Sequence, residues 1–599
     1  MANMASERAG RGLDARNVVL GLLLAACVGL SGAPTPTALA QAAGEVPMEQ
    51  LLPSDALLVL SAPNLSASKE RFKGTALSKI WNEPEVQQFL QGPLAKLREA
   101  IEKLKTQAQA EPGINLDEVK ALFTGQLTFA LLDIRFEDKR RGIPEAAFVA
   151  GISDPAKFRQ ILALIEAKAK EKAAAQGKPL REEKLQIAGV DVTAFAPERG
   201  IALCYGITRN MFIATVGKAA MEKMLTGATG GHGKPLAKEA SFARMVSKLG
   251  ESKPEALLFV NVAALLDKLE PQIPDQPKQV IYELGLRGLE GAGGALAFEG
   301  RGVRSVLYVH APHERRGLTK LMSSEPVDKN LLKIIPQTAT SGSITRFELA
   351  GIWTLVEDIA ASVGDQQYRT FQQFVAQAEA GLQMKIKDDL CASLGDEIIA
   401  YSALPTTPSP LAMIGDVAIL LSVRDRDKAQ MCADKVLREV ARLAGQQIRG
   451  KMPPPPPGGQ GGQPQPQGPQ WNQQEFGGYN ISYVTFPGLP LPIFPSYVVT
   501  EKYLILSLSP QTVKNVLTQL KTPGPDVTAN PDFKDVTGRI PQTYSALSYT
   551  DMKRSFETMY PMAQMFLPMI MTQVQLPIDV AKLPQVQTIS QHLFGSANC

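Results

Sequence analysis

The 599 residues exceed what one hydrophobic core usually organises, and 44% hydrophobic with 20% charged residues can bury more than one core. Sixty-three Lys and Arg against 59 Asp and Glu give a net charge of +4, or +3 once residues 1–40 are set aside. That balance excludes the concentrated basic surface of a nucleic-acid binder; short runs such as Lys168, Lys170 and Lys172 read as a solvated helix face.

The chain opens on a positive stretch, Arg8, Arg11 and Arg16, followed by the apolar run Val18 to Leu30 and by Ala38-Leu39-Ala40 before Gln41. A charged start, a short apolar core and small residues at a cleavage point describe a secretory signal peptide over residues 1–40. Its 13 apolar residues fall short of the about 20 needed to span a bilayer. Cleavage after Ala38-Leu39-Ala40 leaves Gln41 first and predicts an extracytoplasmic protein of the periplasm or envelope. A second route competes, because Leu24-Ala25-Ala26-Cys27 resembles a bacterial lipobox. Lipidation of Cys27 would tether the chain to a membrane, which is otherwise not expected as a partner. The four later cysteines, Cys204, Cys391, Cys432 and Cys599, are too few for a disulfide scaffold; Cys204 and Cys432 sit in apolar patterns and read as buried hydrophobes.

The mature part reads as one unit used twice, a first repeat over 45–325 and a second over 326–599. Each opens with a strand (Ala56 to Ser61; Ser343 to Phe347) and a helical region holding Trp81 or Trp353. Two strands follow, then a capped helix. Asp154-Pro155 offers an N-cap and a first-turn proline, with Phe158, Ile161, Leu162 and Ile165 at helical spacing. A shift of 271 residues brings Asp425 to the cap, with Cys432, Ala433, Val436 and Val440 on the stripe. Three strands in hairpins come next. Ala188-Gly189-Val190 faces Gly477-Gly478-Tyr479, and Tyr205 to Ile213 faces Tyr497 to Ile505 with polar turns at Arg209-Asn210 and Glu501-Lys502. Met221, Met224 and Leu225 then face Val513, Val516 and Leu517; Ser241-Phe242 faces Asp532-Phe533; Leu257 to Leu266 faces Ala546 to Phe556. Short polar turns favour antiparallel pairing, so the fold class is α+β, a tandem duplication of a mostly antiparallel sheet with helices covering one face.

Residues 451–470, almost wholly Pro, Gly and Gln, cannot build a core and read as a disordered loop inside the second repeat, with a polyproline docking segment as the alternative. Repeat one ends in a hairpin, Ala295 to Glu299 and Arg304 to His310, whereas repeat two stops at Phe594 to Cys599. The expectation is a C-terminal truncation that leaves the second sheet two strands short.

Catalytic, cofactor and metal constellations fail on inspection. Thr226 to Pro235 has Ala228 where a phosphate loop needs its first glycine and Pro235 where it needs a hydroxyl. Gly291-Ala292-Gly293-Gly294 lacks the third spaced glycine of a dinucleotide fingerprint. His310 and His313 are too few for zinc, and Pro312 breaks any shared helical face. Asp388-Asp389 and Asp425-Asp427 fall at helix starts, where carboxylates offset the macrodipole. The methionines Met559, Met562, Met565, Met569 and Met571, interrupted by Pro561 and Pro568, predict two short helices in ordinary core packing; the alternative is an apolar groove for a lipid or a partner helix.

Leu52-Pro53-Ser54-Asp55-Ala56-Leu57-Leu58-Val59-Leu60, Arg71-Phe72-Lys73-Gly74-Thr75 and Ile80-Trp81-Asn82-Glu83-Pro84 resemble an uncharacterised exported two-repeat family, a domain of unknown function typical of planctomycete-type bacteria. Ala350-Gly351-Ile352-Trp353 and Gln591-His592-Leu593-Phe594 resemble its second half, while the stop soon after Phe594 departs from its pattern. The resemblance implies export; the family carries no established activity or catalytic residues, so none is carried over. The expected function is an envelope interaction or scaffold protein without enzymatic activity. The alternatives are a periplasmic carrier of a lipid or other apolar ligand, or an enzyme whose site is not visible in sequence.

Overall fold

The computed structural model describes residues 46–599 except 93, 96–98, 100–115, 139–140, 176–180, 197–201, 229–233, 249–253, 322–324, 405–415, 452–468, 487–492 and 574–578. The predicted leader, with Cys27, Ala38, Ala40 and Gln41, and nearly all of the 451–470 loop lie outside the described residues. Two compact units emerge. One takes in the chain through Asn82, Leu90–Ile273 and Arg287–Glu314; the other takes in Glu83–Phe89, Pro274–Leu286 and Arg315–Cys599.

The first unit carries β1 (Leu58–Ala62), β2 (Phe123–Asp138), β3 (Arg141–Ile152), β4 (Arg181–Ile187), β5 (Val190–Ala196), β6 (Leu203–Thr208), β7 (Met211–Val216), β8 (Ala256–Val260), β9 (Gly291–Glu299) and β10 (Gly302–His310). They form one sheet in the order β10-β9-β8-β1-β2-β3-β7-β6-β5-β4, antiparallel throughout. The second unit carries β11 (Ala339–Arg346), β12 (Leu394–Ala403), β13 (Asp416–Val423), β14 (Gln470–Phe476), β15 (Tyr479–Thr485), β16 (Ser496–Val499), β17 (Tyr503–Ser507), β18 (Ala546–Asp551) and β19 (Gly595–Asn598). Its order, read from the β19 edge, is β19-β18-β11-β12-β13-β17-β16-β15-β14. Strand for strand this is the first sheet without β10. The α+β tandem unit stands, and the predicted shortfall of two strands is corrected to one, because Gly595–Asn598 pairs with β18 as β9 pairs with β8.

The helices that matter below are α1 (Leu65–Lys73), α2 (Leu116–Leu122), α3 (Pro155–Ala175), α4 (Lys218–Ala228), α5 (Ala240–Lys248), α6 (Val262–Leu269), α7 (Arg426–Lys451), α8 (Pro510–Lys521), α9 (Pro531–Thr537) and α10 (Met552–Gln573). The expected cap chemistry is in place. Asp154 Oδ1 accepts the Ala156 and Lys157 N–H groups at 3.0 and 2.9 Å, and Asp425 accepts that of Lys428 at 3.1 Å. After α3 and α7, however, four strands follow instead of three. Sequence reading passes over β4 because its residues, Arg-Glu-Glu-Lys-Leu-Gln-Ile, are exposed on both faces of an edge strand and carry no apolar alternation. Its hairpin turns through Ala188 (φ 50°) and Gly189 (φ 77°), and its counterpart β14–β15 through Gly477 (φ 63°) and Gly478 (φ 91°), the doubly positive pair a type I′ turn needs.

Helices lie on both faces of each sheet, not one, and the outer ones cover only part of their face. In the first unit, inward Met211, Ile213 and Cys204 join Met221, Met224 and Leu225 of α4 and Phe242 of α5 in one core. The alternate residues Tyr205, Ile207 and Phe212 join Val119 and Leu122 of α2 and Phe158, Ile161 and Leu162 of α3 in a second. The other unit repeats this. Ile505 and Val498 lie under α8 and α9, and Leu504, Leu506, Tyr497 and Val499 under α7. Strand periodicity sends neighbouring residues to opposite faces, so an unbroken apolar run such as Met211–Ala214 signals two covered faces. One aromatic contact is duplicated in detail. Phe242 meets Phe259 edge-on at 5.2 Å, and Phe533 meets Tyr549 edge-on at 5.2 Å.

The methionine segment departs from expectation. α10 runs unbroken through Pro561 and Pro568, and Met559 and Met565 are exposed instead of packed in a core.

Candidate functional site

Beneath the long helix of each unit sits the same four-part cluster. In the first, the Tyr205 hydroxyl on β6 donates to Glu166 of α3, Phe195 packs 6.2 Å from Tyr205, and the Lys170 ammonium stands 5.8 Å from the Phe195 ring. In the second, the Tyr497 hydroxyl on β16 donates to Asp434 of α7, Trp471 packs 6.0 Å from Tyr497, and the Arg438 guanidinium stands 4.5 Å over Trp471. In both, the acid and the cation are four residues apart on one helix. By the 271-residue shift, however, Asp434 aligns with Ala163 and Glu166 with Leu437, so each acid has moved one helical turn. Burial, then the bond to the carboxylate, push both phenols above their ordinary range. They are donors that fasten helix to sheet, not acids for turnover. The Trp471 Nε1–H is buried without a hydrogen-bond partner.

The other sequence candidates are placed as follows. Cys204 and Cys432 are buried as predicted; burial pushes the Cys204 thiol up to about 11 and raises that of Cys432, away from thiolate chemistry. His310 and His313 both reach Glu290, at 3.4 and 3.2 Å, and Tyr308 lies 3.2 Å from His310 Nδ1. No group of three or more His, Cys, Asp or Glu able to hold a metal ion is present among the described residues. Asp389 accepts the Lys385 N–H at 2.8 Å, a local cap. The Thr226–Pro235 segment lies partly outside the described residues.

A further feature lies on the outward face of the first sheet. The register Leu307–Gly294–Leu258–Leu60–Phe129 runs straight across β10, β9, β8, β1 and β2. Its side chains are 86% (Leu307), 42% (Leu258), 51% (Leu60) and 40% (Phe129) exposed, and a Cβ on Gly294 would meet Leu307 at 2.8 Å. Four strand spacings make this apolar strip about 19 Å long. Along the strands it is flanked by half-buried Leu58, Ala62, Leu127 and Leu131, and on β10 it widens to Val303 and Val309, which are exposed on the same face as Leu307. α1 crosses the sheet at the Ala62 end, with Phe72 against Phe298 at 5.6 Å and Arg71 paired to Glu255. α6 follows β8 at the other end and ties to β2 through Lys268–Asp133 at 2.8 Å. α2 leads into β2 at Phe123 and carries Lys120, whose charge, after burial, lowers the pKa of Lys69 on α1. In the second unit the equivalent row is Ser548–Ser343–Ala400–Ile419.

Comparison with known families decides the relationship. The family of proteins of unknown function DUF3352 matches residues 18–579. The chain belongs to that family. No match to a curated protein and none to a solved structure was found. This DUF3352 chain also shows why the strip escapes sequence reading. Leu57 to Leu60 and Leu257 to Val260 register only as buried strands, and both faces of such a run look alike until the sheet shows which one lacks a helix. A usable signal was present in the repeats themselves, where Leu-Leu-Phe-Val of β8 faces Leu-Ser-Tyr-Thr of β18.

Proposed function

We propose that this chain is an exported, non-catalytic binding protein of the cell envelope whose working surface is the outward face of the first sheet. The observation that carries the reading is the strip Leu307–Leu258–Leu60–Phe129, exposed in one unit and replaced by Ser548, Ser343 and Ala400 in the other. An ordered apolar row on a face otherwise free to be polar is the mark of a surface that is covered in use. Burial of the cysteine thiols and the cluster phenols away from their reactive range supports a non-catalytic role. Export is supported by Arg8, Arg11 and Arg16, the Val18–Leu30 run and Ala38-Leu39-Ala40, with lipidation at Cys27 as the tethered form; the likeness to exported planctomycete-type sequences points the same way.

Native mass spectrometry of the full chain purified from its own envelope tests this. The expected N-terminus is Gln41, or a diacylated Cys27. A bound species, small molecule or protein, should be present in the wild type and absent after Leu258→Ser with Leu307→Ser. An empty wild-type chain, or a bound species indifferent to those substitutions, would overturn the reading.

A further inference from the structure

Among the described residues the two sheets present four edge strands, and three of them are blunted. β4 opens with the charges Arg181, Glu182, Glu183 and Lys184, β14 carries Asn472, Gln473, Gln474 and Glu475, and β19 is four residues long. Charge, polarity and shortness keep an edge from pairing with another chain. β10 uses none of them. Its nine residues, about 30 Å of strand, contain no proline or lysine and pair with β9 in one unbroken register from Gly302–Glu299 to His310–Gly291. Its cation, Arg304, is paired with Glu299 at 3.3 Å.

Which backbone groups of β10 stay free follows from β9. The Leu296 carbonyl accepts the Glu255 N–H on the β8 side, so the even residues of β9 bond toward β8 and its odd residues toward β10. Those odd residues face the even residues of β10. Val303, Ser305, Leu307 and Val309 are therefore left with N–H and C=O groups aimed out of the sheet, without a backbone partner among the described residues. The same four residues carry the exposed side chains of the strand, three of them apolar. An open ladder with an apolar outward row is completed by another strand.

The sequence of β10 fits itself. Set antiparallel against a second β10, all nine residues find a partner in a single register, with Gly302 opposite His310 of the second copy. In that register Val303 meets Val309, Ser305 meets Leu307, Arg304 meets Tyr308, and Val306 meets itself at the two-fold axis. Every free N–H and C=O of the four odd residues is then used. Centring the pair on Arg304 instead would shorten it and set two like charges face to face. We infer that β10 pairs antiparallel with β10 of a second copy, joining two first-unit sheets edge to edge in a dimer. Such a contact uses the same patch on both copies and closes at two. The inference goes beyond the binding role proposed above and does not rest on it, since the dimer uses the edge of the strand and the strip uses its face.

Sedimentation equilibrium of the full chain should show a monomer–dimer equilibrium. Ser305→Pro removes an outward N–H and no bond to β9, and should weaken the dimer at least about tenfold while the thermal melt stays that of the wild type. Leu258→Ser, off the edge, should leave the dimer unchanged, which separates it from any species held on the strip. Disulfide trapping reads the register in a background carrying Cys27→Ser and Cys599→Ser. Val306 meets its own copy at the close spacing of a non-hydrogen-bonded pair, so Val306→Cys should cross-link under air oxidation, whereas Arg304→Cys and Tyr308→Cys should not. A monomer across the concentration range, a dimer indifferent to Ser305→Pro, or cross-linking that favours position 304 or 308 would overturn the inference. So would native mass spectrometry in which an unrelated protein, and not a second copy, is lost with Ser305→Pro. If the dimer fails while a species sensitive to Leu258→Ser with Leu307→Ser is still bound, the binding role stands; failure of both experiments removes both.

Discussion

The same row of the same sheet reads Leu258, Leu60, Phe129, Phe148 in one unit and Ser548, Ser343, Ala400, Ile419 in the other, while the inward rows stay largely apolar in both, with the buried Ser61–Thr128 pair hydrogen-bonded at 2.8 Å. The inward side is fixed by the helices packed on it, where each lost methylene costs stability. The outward side of β8 and β1 carries no such requirement, so its composition follows use instead of folding. The paired clusters teach the converse. Tyr205–Glu166 and Tyr497–Asp434 keep the bond while moving the acid by a turn, which shows that the fastening and not the position is held.

The largest expected effect tests whether the inward rows are equivalent. Phe259→Ala removes the edge-on partner of Phe242 from a fully buried position and should cost about 3–5 kcal/mol by urea unfolding. Tyr549→Phe, its counterpart, should cost nothing and gain up to about 1 kcal/mol, because the Tyr549 hydroxyl is buried without a partner. Next in size is the fastening of α1. Burial alone would raise the Glu255 carboxyl, but hydrogen bonds from Arg71 and Ser68 hold it below its ordinary value. A depressed carboxylate stabilises the fold above its unfolded pKa, and that contribution is lost as pH falls through the folded one. Arg71→Gln should therefore cost about 2 kcal/mol at neutral pH and flatten the acid limb of the stability curve below pH about 4. A parallel acid limb in variant and wild type would remove the assignment.

The fastening clusters should differ in degree. Tyr497→Phe leaves Asp434 to the neutral Gln430 amide at 3.1 Å and should cost about 1–2 kcal/mol, and Tyr205→Phe less, since the Lys184 ammonium also stands 4.0 Å from Glu166. Equal losses would mean that the two clusters are interchangeable. The smallest effect on stability sharpens the outward comparison. Ser343→Leu with Ser548→Leu should shift stability by less than about 0.5 kcal/mol each, yet create a second apolar strip that a fluorescent apolar probe reports.

Much of the architecture was legible. The caps Asp154 and Asp425, the turns at Arg209-Asn210 and Glu501-Lys502 and the shared order of elements could be read off because they depend on a few neighbouring residues. The missed strand β4 and its partner β14 are polar edge strands held by one neighbour, so no apolar period marks them. α10 was divided at its prolines because local rules count each lost hydrogen bond and not the packing that tolerates it. Of the candidate site, the residues of β1 and β8 were noticed and their exposed face was not.

By itself the sequence determined two α+β units of one order and the burial of Cys204 and Cys432, both of them local chemistry or a pattern repeated along the chain. Only the tertiary structure decided which face of each strand a helix covers, that each phenol finds its acid from a different turn, and that Leu60, Phe129, Leu258 and Leu307 form one row. Those residues are separated by up to 247 positions, and their meeting depends on strand order and register, which no local period encodes.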